Sequence, residues 1–149
     1  MSGADLDLVA LLARARASGD ARILLDVIPY ARFLGLEVRR ENGSPIASMR
    51  FGEHLVGDAT IPALHGGTLA ALLAATAILA VMVDPATETM PRTITLTIDY
   101  LRSGRAMDTH CRARIVRQGR RIAVVAVEAY QDDPDKPCAT AVVHVLVAD

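Results

Sequence analysis

The stretch best equipped for chemistry is His65-Gly66-Gly67-Thr68, at the start of a run, residues 64–83, with no charged side chain. Glycines let a ligand approach the backbone closely, and the first N–H groups of a helix have no intrahelical partner. A carbonyl oxygen hydrogen-bonded to the Gly67 N–H would be polarised. Negative charge developing on it would meet the positive end of the helix. The competing reading is that Gly66 and Gly67 only permit a tight strand-to-helix junction. His65 either fixes that junction by hydrogen bonding or points toward the ligand. Thr68, in the first turn, either hydrogen-bonds a ligand or water or acts as a cap.

These groups must be held by the run that follows them. Its length meets the rough 18–20 residues needed to cross hydrocarbon, but it is rich in alanine with only a few large side chains. Small residues let a helix lie close against another surface, and no Lys/Arg cluster or Trp/Tyr anchor brackets the run. The expectation is one helix over residues 67–82, buried on nearly every side.

The rest of the chain narrows the possibilities. With 149 residues, it is long enough for one domain burying roughly two-thirds of its unfolded surface. A formal net charge of -1 leaves no footprint for nucleic acid. Aromatics make up 3% and tryptophan is absent, against 52% apolar residues, so the core must be Ala, Val, Leu and Ile. Cys111 and Cys138 form no metal-ligand motif and read as two buried thiols. The "DDPD" turn at 132–135 lacks a calcium-loop pattern; no metal and no cofactor is expected. Acidic residues precede the first apolar stretch and basic ones follow it, the reverse of a secretory signal. A cytoplasmic protein that does not enter a membrane is expected.

Around the helix the pattern is α+β. Leu8, Leu11 and Leu12 place a helix over residues 5–17, with Asp5 as its cap and Gly19 as its stop; a second piece covers Ala21–Ile28 and ends before Pro29. "FLGLEVRREN" and "PIASMRFG" flank the turn signal "ENGS", which predicts a hairpin. In "RTITLTIDYL", Ile94, Leu96, Ile98 and Tyr100 alternate with Thr93, Thr95, Thr97 and Asp99, giving a strand with one dry face. Met107, Cys111, Ala113 and Ile115 share a face of the next strand, with His110, Arg112 and Arg114 opposite. Gln118-Gly119 reads as a two-residue turn. "RRIAVVAVEAY" is apolar on both faces and so belongs at the centre, and "CATAVVHVLV" is the last strand. A helix without a polar face fits inside a curved antiparallel sheet.

The succession of "LHGGTLAALLAAT" at 64–76, "RTITLTIDYLRSG" at 92–104 and "GRRIAVVAVEAY" at 119–130 resembles the hotdog-fold acyl-CoA thioesterases of the phenylacetic-acid-degradation (PaaI-like) type. The resemblance spans about residues 24–148. It implies a curved antiparallel sheet wrapped around a long central helix, with residues 21–149 as a single hotdog domain and residues 1–20 as an N-terminal helical extension. It also implies hydrolysis of acyl-coenzyme A thioesters in a homodimer or homotetramer, with the site between subunits and the Gly67 N–H on the thioester carbonyl.

One part of the family pattern is missing. The family places a carboxylate nine residues after the motif histidine, as nucleophile or water activator; here that residue is Ala74, which can do neither. The family's frequent asparagine six before the histidine is Ala59, and its glycine three before is Pro62. Asp58, Glu53 or His54 could bring a base from the preceding segment, and Asp58 is the preferred one. Thr76, two positions beyond the lost acid, is rotated by about 200° around the helix and faces away. Arg92, Arg102, Arg117, Arg120 and Arg121 are candidates for the phosphates of coenzyme A; Arg120 and Arg121 also read as a solvated hairpin end. Arg112, Arg114 and His110 could line a polar subunit interface. The leading expectation is thioester hydrolysis with His65, Gly67 and Asp58 as catalytic groups. Gly66, Thr68, Arg92, Arg120 and Arg121 are the expected substrate contacts. The alternatives are an acyl-CoA or fatty-acyl binding protein without turnover, and a scaffold with a filled cleft.

Overall fold

The structure is a computed structural model that describes residues 7–84, 87 and 89–148. Helix α1 (Leu8–Ser18) starts at Asp7, whose Oδ1 accepts the Ala10 N–H at 3.0 Å, and ends at Gly19 with φ 69°. The cap expected at Asp5 lies outside the described residues. The single second helix expected over Ala21–Ile28 is instead a short α2 (Arg22–Leu25), followed by α3 (Pro29–Phe33) with Pro29 in its first turn. Proline ends a helix behind it but suits the first position of the next, where no N–H is needed and φ is already set.

Strands β1 (Leu36–Glu41) and β2 (Ser44–Met49) pair as the expected hairpin. Asn42 and Gly43, at φ 51° and 81°, supply the two left-handed residues of its turn. A 3₁₀ turn (Glu53–Leu55), β3 (Val56–Asp58) and β4 (Ala63–Leu64) then lead into α4 (Gly66–Met82). Segments this short carry no readable period, so the sequence did not show them. The chain finishes with β5 (Arg92–Tyr100), β6 (Thr109–Gln118), β7 (Ile122–Tyr130) and β8 (Ala139–Leu146).

The six-stranded antiparallel sheet has the order β1-β2-β6-β7-β8-β5, with the doubly apolar β7 inside it as expected. Helix α4 packs against β2, β6, β7, β8 and β5. Five neighbouring strands span about 19 Å at about 4.8 Å each, whereas a helix is about 10–12 Å across. The sheet must therefore curl around α4, which is the hotdog arrangement. Leu69, Leu72, Leu73, Ala77, Val125, Val127, Val143 and Val145 fill the core between them. Both cysteines are free and buried, and burial pushes the Cys111 thiol up to about 12. Among the described residues no helix is long and apolar enough to cross a membrane.

Three expectations need adjustment. Residues 119–121, not Gln118-Gly119, form the β6–β7 turn: Gln118 is still paired with Ala123, and the Gly119 N–H donates to the Ile122 carbonyl at 2.9 Å. The dry face of β5 is only half dry. Leu96 and Ile98 pack on the core, while Ile94 and Tyr100 remain 49% and 53% exposed, because β5 is an edge strand that, among the described residues, pairs only with β8. Finally, α4 is not enclosed all round. Gly67 is exposed, and Ala70, Ala74 and Ala75 are half-buried along one side, flanked by Ala71 and Ile78, which are half-buried against the core cluster.

Candidate active site

The start of α4 is fixed from three directions. The Leu64 N–H donates to the Gly104 carbonyl at 2.9 Å, and the His65 N–H donates to the Leu55 carbonyl at 2.8 Å. Strand β3 closes on the same place: a Cβ on Gly57 would sit 2.8 Å from His65 Cα, so only glycine permits this approach. His65 is the N-cap of α4, and its Nδ1 accepts the Gly67 N–H at 2.9 Å. Thr68 donates its hydroxyl to the His65 carbonyl at 2.6 Å. The two readings of His65 and Thr68 thus share one geometry: both fix the junction, and His65 and Gly67 remain exposed.

The sequence reading missed Tyr100. Alternation assigned it to the dry face of β5, yet its hydroxyl donates to the Gly66 carbonyl at 2.8 Å. A Cβ on Gly66 would lie 3.3 Å from the tyrosine ring. No local pattern could pair residues so far apart in the chain; only the position of β5 at the sheet edge brings them together.

Ala74 lies on the half-buried outer side of α4 and carries nothing that could take a proton. Thr76 faces the core, where its hydroxyl donates to the Leu72 carbonyl at 2.7 Å. Asp58 follows Gly57 on β3 and so lies beside His65 in the fold, but its Oδ1 accepts both the Thr60 hydroxyl at 2.6 Å and the Thr60 N–H at 2.9 Å. These bonds, the hydroxyl's first, hold its carboxyl below the usual carboxylate range, which makes it a weaker base. His54 is turned toward α3, with Nε2 2.7 Å from the Phe33 carbonyl and its ring edge-on to Phe33 at 4.9 Å. Glu53 is exposed.

The arginines divide by position. Arg92 pairs with Leu146 at one end of the β5–β8 ladder, and Tyr100 pairs with Ala139 at the other. Eight strand steps of about 3.3 Å separate them by roughly 26 Å. Arg120 and Arg121 stand beside Ile122, whose partner is also Leu146, so they share Arg92's end of the molecule. Arg117, paired with Val124 near the tip of the same hairpin, belongs there too. One chain therefore does not gather Arg92, Arg120 and Arg121 at His65. Arg102 is on the His65 end, where a cavity of about 350 Å³ is lined by Arg102, Ser103, Arg105, Gln131, Asp132 and Lys136. Arg112 is held by Glu128 and the Pro134 carbonyl, and His110 Nδ1 lies 2.7 Å from the Ser48 hydroxyl. Arg114 is exposed beside them.

Known proteins share this arrangement. Residues 56–146 match the family described as acyl-CoA thioesterase N-terminal domain. The medium/long-chain acyl-CoA thioesterase YigI of Salmonella typhimurium is 31% identical over 121 residues, which are 71% of this chain and 77% of that protein. A solved structure from Chromobacterium violaceum is 29% identical with a TM-score of 0.74, covering 93% of this chain and 96% of its own. A putative thioesterase from Ralstonia eutropha, described as a phenylacetic acid degradation-related protein, is 26% identical with a TM-score of 0.72; the match covers 83% of this chain and 96% of that one. The family match over most of the chain, the Salmonella relative and the shared fold agree, and the chain belongs to the hotdog-fold acyl-CoA thioesterase superfamily, alongside PaaI-like proteins.

Proposed function

We propose that the protein hydrolyses medium- to long-chain acyl-coenzyme A to the free acid and coenzyme A, in a homodimer or homotetramer with its sites between subunits. The observation that carries this reading is the Gly67 N–H at the start of a glycine-opened helix, held only by the exposed His65 ring, in a chain of thioesterase ancestry. That N–H polarises the thioester carbonyl, and the helix end stabilises the negative charge that develops there. Gly66 and Thr68 shape the carbonyl's seat. The named activity of the Salmonella relative supports the chain length. So does the outer side of α4, where a stripe from Gly67 through Ala70, Ala71, Ala74 and Ala75 to Ile78, small in all but its last residue, runs for roughly 16 Å. Bonds of about 1.5 Å at about 111° advance an alkyl chain by roughly 1.25 Å per carbon, so about 13 carbons span that distance.

A second copy would complete what one chain leaves open. The free edge of β5, exposed Ile94 and Leu101, and the open side of α4 are surfaces a lone copy would leave wet. Antiparallel pairing of β5 with its copy would carry the Arg92 end of one strand to the Tyr100 end of the other. Arg92, with Arg120 and Arg121 behind it, then meets the phosphates of coenzyme A from the neighbouring subunit. In this reading residues 21–149 are the hotdog domain and residues 1–20 its N-terminal extension, of which α1 covers the C-terminal end of α4.

Asp58 is the water activator in this scheme, once released from Thr60. Its hold on Thr60, together with Ala74, favours one other reading: a protein that binds acyl-CoA without turning it over. Purified protein assayed against C4 to C16 acyl-CoAs, with free thiol detected, decides between them. Release that peaks at medium to long chains supports hydrolysis. Binding by calorimetry with no release at any length supports the second reading.

A further inference from the structure

The bond that links Gly66 to Gly67 is held at both of its polar ends. Its carbonyl oxygen accepts the Tyr100 hydroxyl at 2.8 Å, and its N–H donates to His65 Nδ1 at 2.9 Å. A peptide group is planar, so fixing the oxygen fixes the direction of the N–H. Hydrogen bonds in series also polarise one another, strengthening each by about 10–30%. A donor bonded at the oxygen therefore makes the nitrogen a better donor. The phenol comes from β5, a different layer of the fold, and Tyr100 is 53% exposed. An ordinary core tyrosine would be covered.

At the other end, the His65 ring occupies the place a ligand carbonyl needs. A Cβ on Gly67 would lie 2.9 Å from Nδ1 and 3.2 Å from Cε1, so the imidazole lies directly over the donor. Because His65 is exposed, the ring can turn away without uncovering the core.

We propose that Tyr100 is a positioning residue for the acyl carbonyl: its hydroxyl aims and polarises the Gly66–Gly67 peptide, and the carbonyl displaces His65 Nδ1 from the Gly67 N–H. This rests on acyl-CoA being the ligand of the site. It adds a role for Tyr100 and a resting partner for the donor. No covalent step is involved; one acceptor replaces another on a single N–H.

The test uses Tyr100→Phe, which keeps the ring over Gly66 and removes only the hydroxyl. Two unreactive dodecanoyl-CoA analogues serve as probes: a ketone with the sulfur replaced by methylene, and a thioether with the carbonyl replaced by methylene. The variant should bind the ketone about fivefold more weakly and the thioether within twofold of wild type, with an unchanged melting temperature. In ligand-free protein, the Gly67 amide proton should move upfield in the variant. Equal weakening of both analogues, or of neither, overturns the role of Tyr100. So does an unmoved Gly67 resonance. If wild type binds neither analogue, acyl-CoA is not the ligand, and the proposal falls with that reading.

Discussion

The two ends of α4 meet the same physical problem and solve it differently. Each end of a helix leaves backbone groups without intrahelical partners. At the C-terminal end there is no basic residue in the last turn of α4 itself. Arg16 arrives from α1 instead, its Nε donating to the Met82 carbonyl at 2.9 Å and its NH2 to the Thr87 carbonyl. Thr87 in turn donates its hydroxyl to the Val81 carbonyl at 2.8 Å. Leu12, Ala15, Leu24 and Met82 close an apolar cluster over this end. At the N-terminal end the orphan Gly67 N–H is met by a neighbour in sequence, His65, while Tyr100 reaches the Gly66 carbonyl from β5, and the junction stays open to solvent. A permanent cation under apolar cover gives stability; a movable imidazole in water leaves a donor that another acceptor can take.

This contrast can be broken in several ways. Arg16→Met should cost the most, about 2 kcal/mol, because part-buried carbonyls lose a charged donor. For a chain of this size that is a fall of roughly 4–8 °C in melting temperature, with acyl-CoA hydrolysis unchanged. Calorimetry and the thiol assay on one preparation check both halves, and an equal loss of activity would mean the two ends are coupled. At the open end the sign reverses. Asp58→Asn should lower kcat at least tenfold, about 1.4 kcal/mol, with little change in melting temperature. Unchanged kcat would reduce Asp58 to the turn residue its Thr60 bonds describe.

Between the ends, Ala74→Asp restores a carboxylate on the outer side of α4. Steady-state kinetics should show kcat rising about threefold, while the charge on a half-buried position costs up to about 1 kcal/mol of stability. A folded variant with no gain would place the reacting bond elsewhere on the helix. The smallest effect at neutral pH is that of the buried thiol. Cys111 is raised by burial to about 12, so its contribution is fully present below the unfolded value of about 8.5. It is lost as pH climbs toward about 12. Denaturant titrations from pH 8 to 11 should show a steeper alkaline loss for wild type than for Cys111→Ala.

Much of the fold was legible because its elements are long enough to show a period. The uncharged run gave α4 to within a residue at its start, alternation gave β5 and β6, and apolar β-branched runs between turn signals gave β7 and β8. Pro29 was legible as a stop but not as a start, since the same ring geometry serves both. Strands β3 and β4 were invisible because segments of three and two residues have no pattern to read.

The site divides along the same line. His65, Gly66, Gly67 and Ala74 are local facts of residue type and spacing; that a carboxylate is missing at Ala74 follows only from the family resemblance. Which group sits on the Gly67 N–H, which hydroxyl holds the Gly66 carbonyl, and that Asp58 is already engaged by Thr60 were decided by tertiary structure. Hydrogen bonds act within about 3 Å, and the curl of the sheet sets which distant residues come that close. Composition determined that the helix would be small-sided and close-packed. Only the position of β5 at the edge decided that a tyrosine thirty-four residues away would reach its first turn.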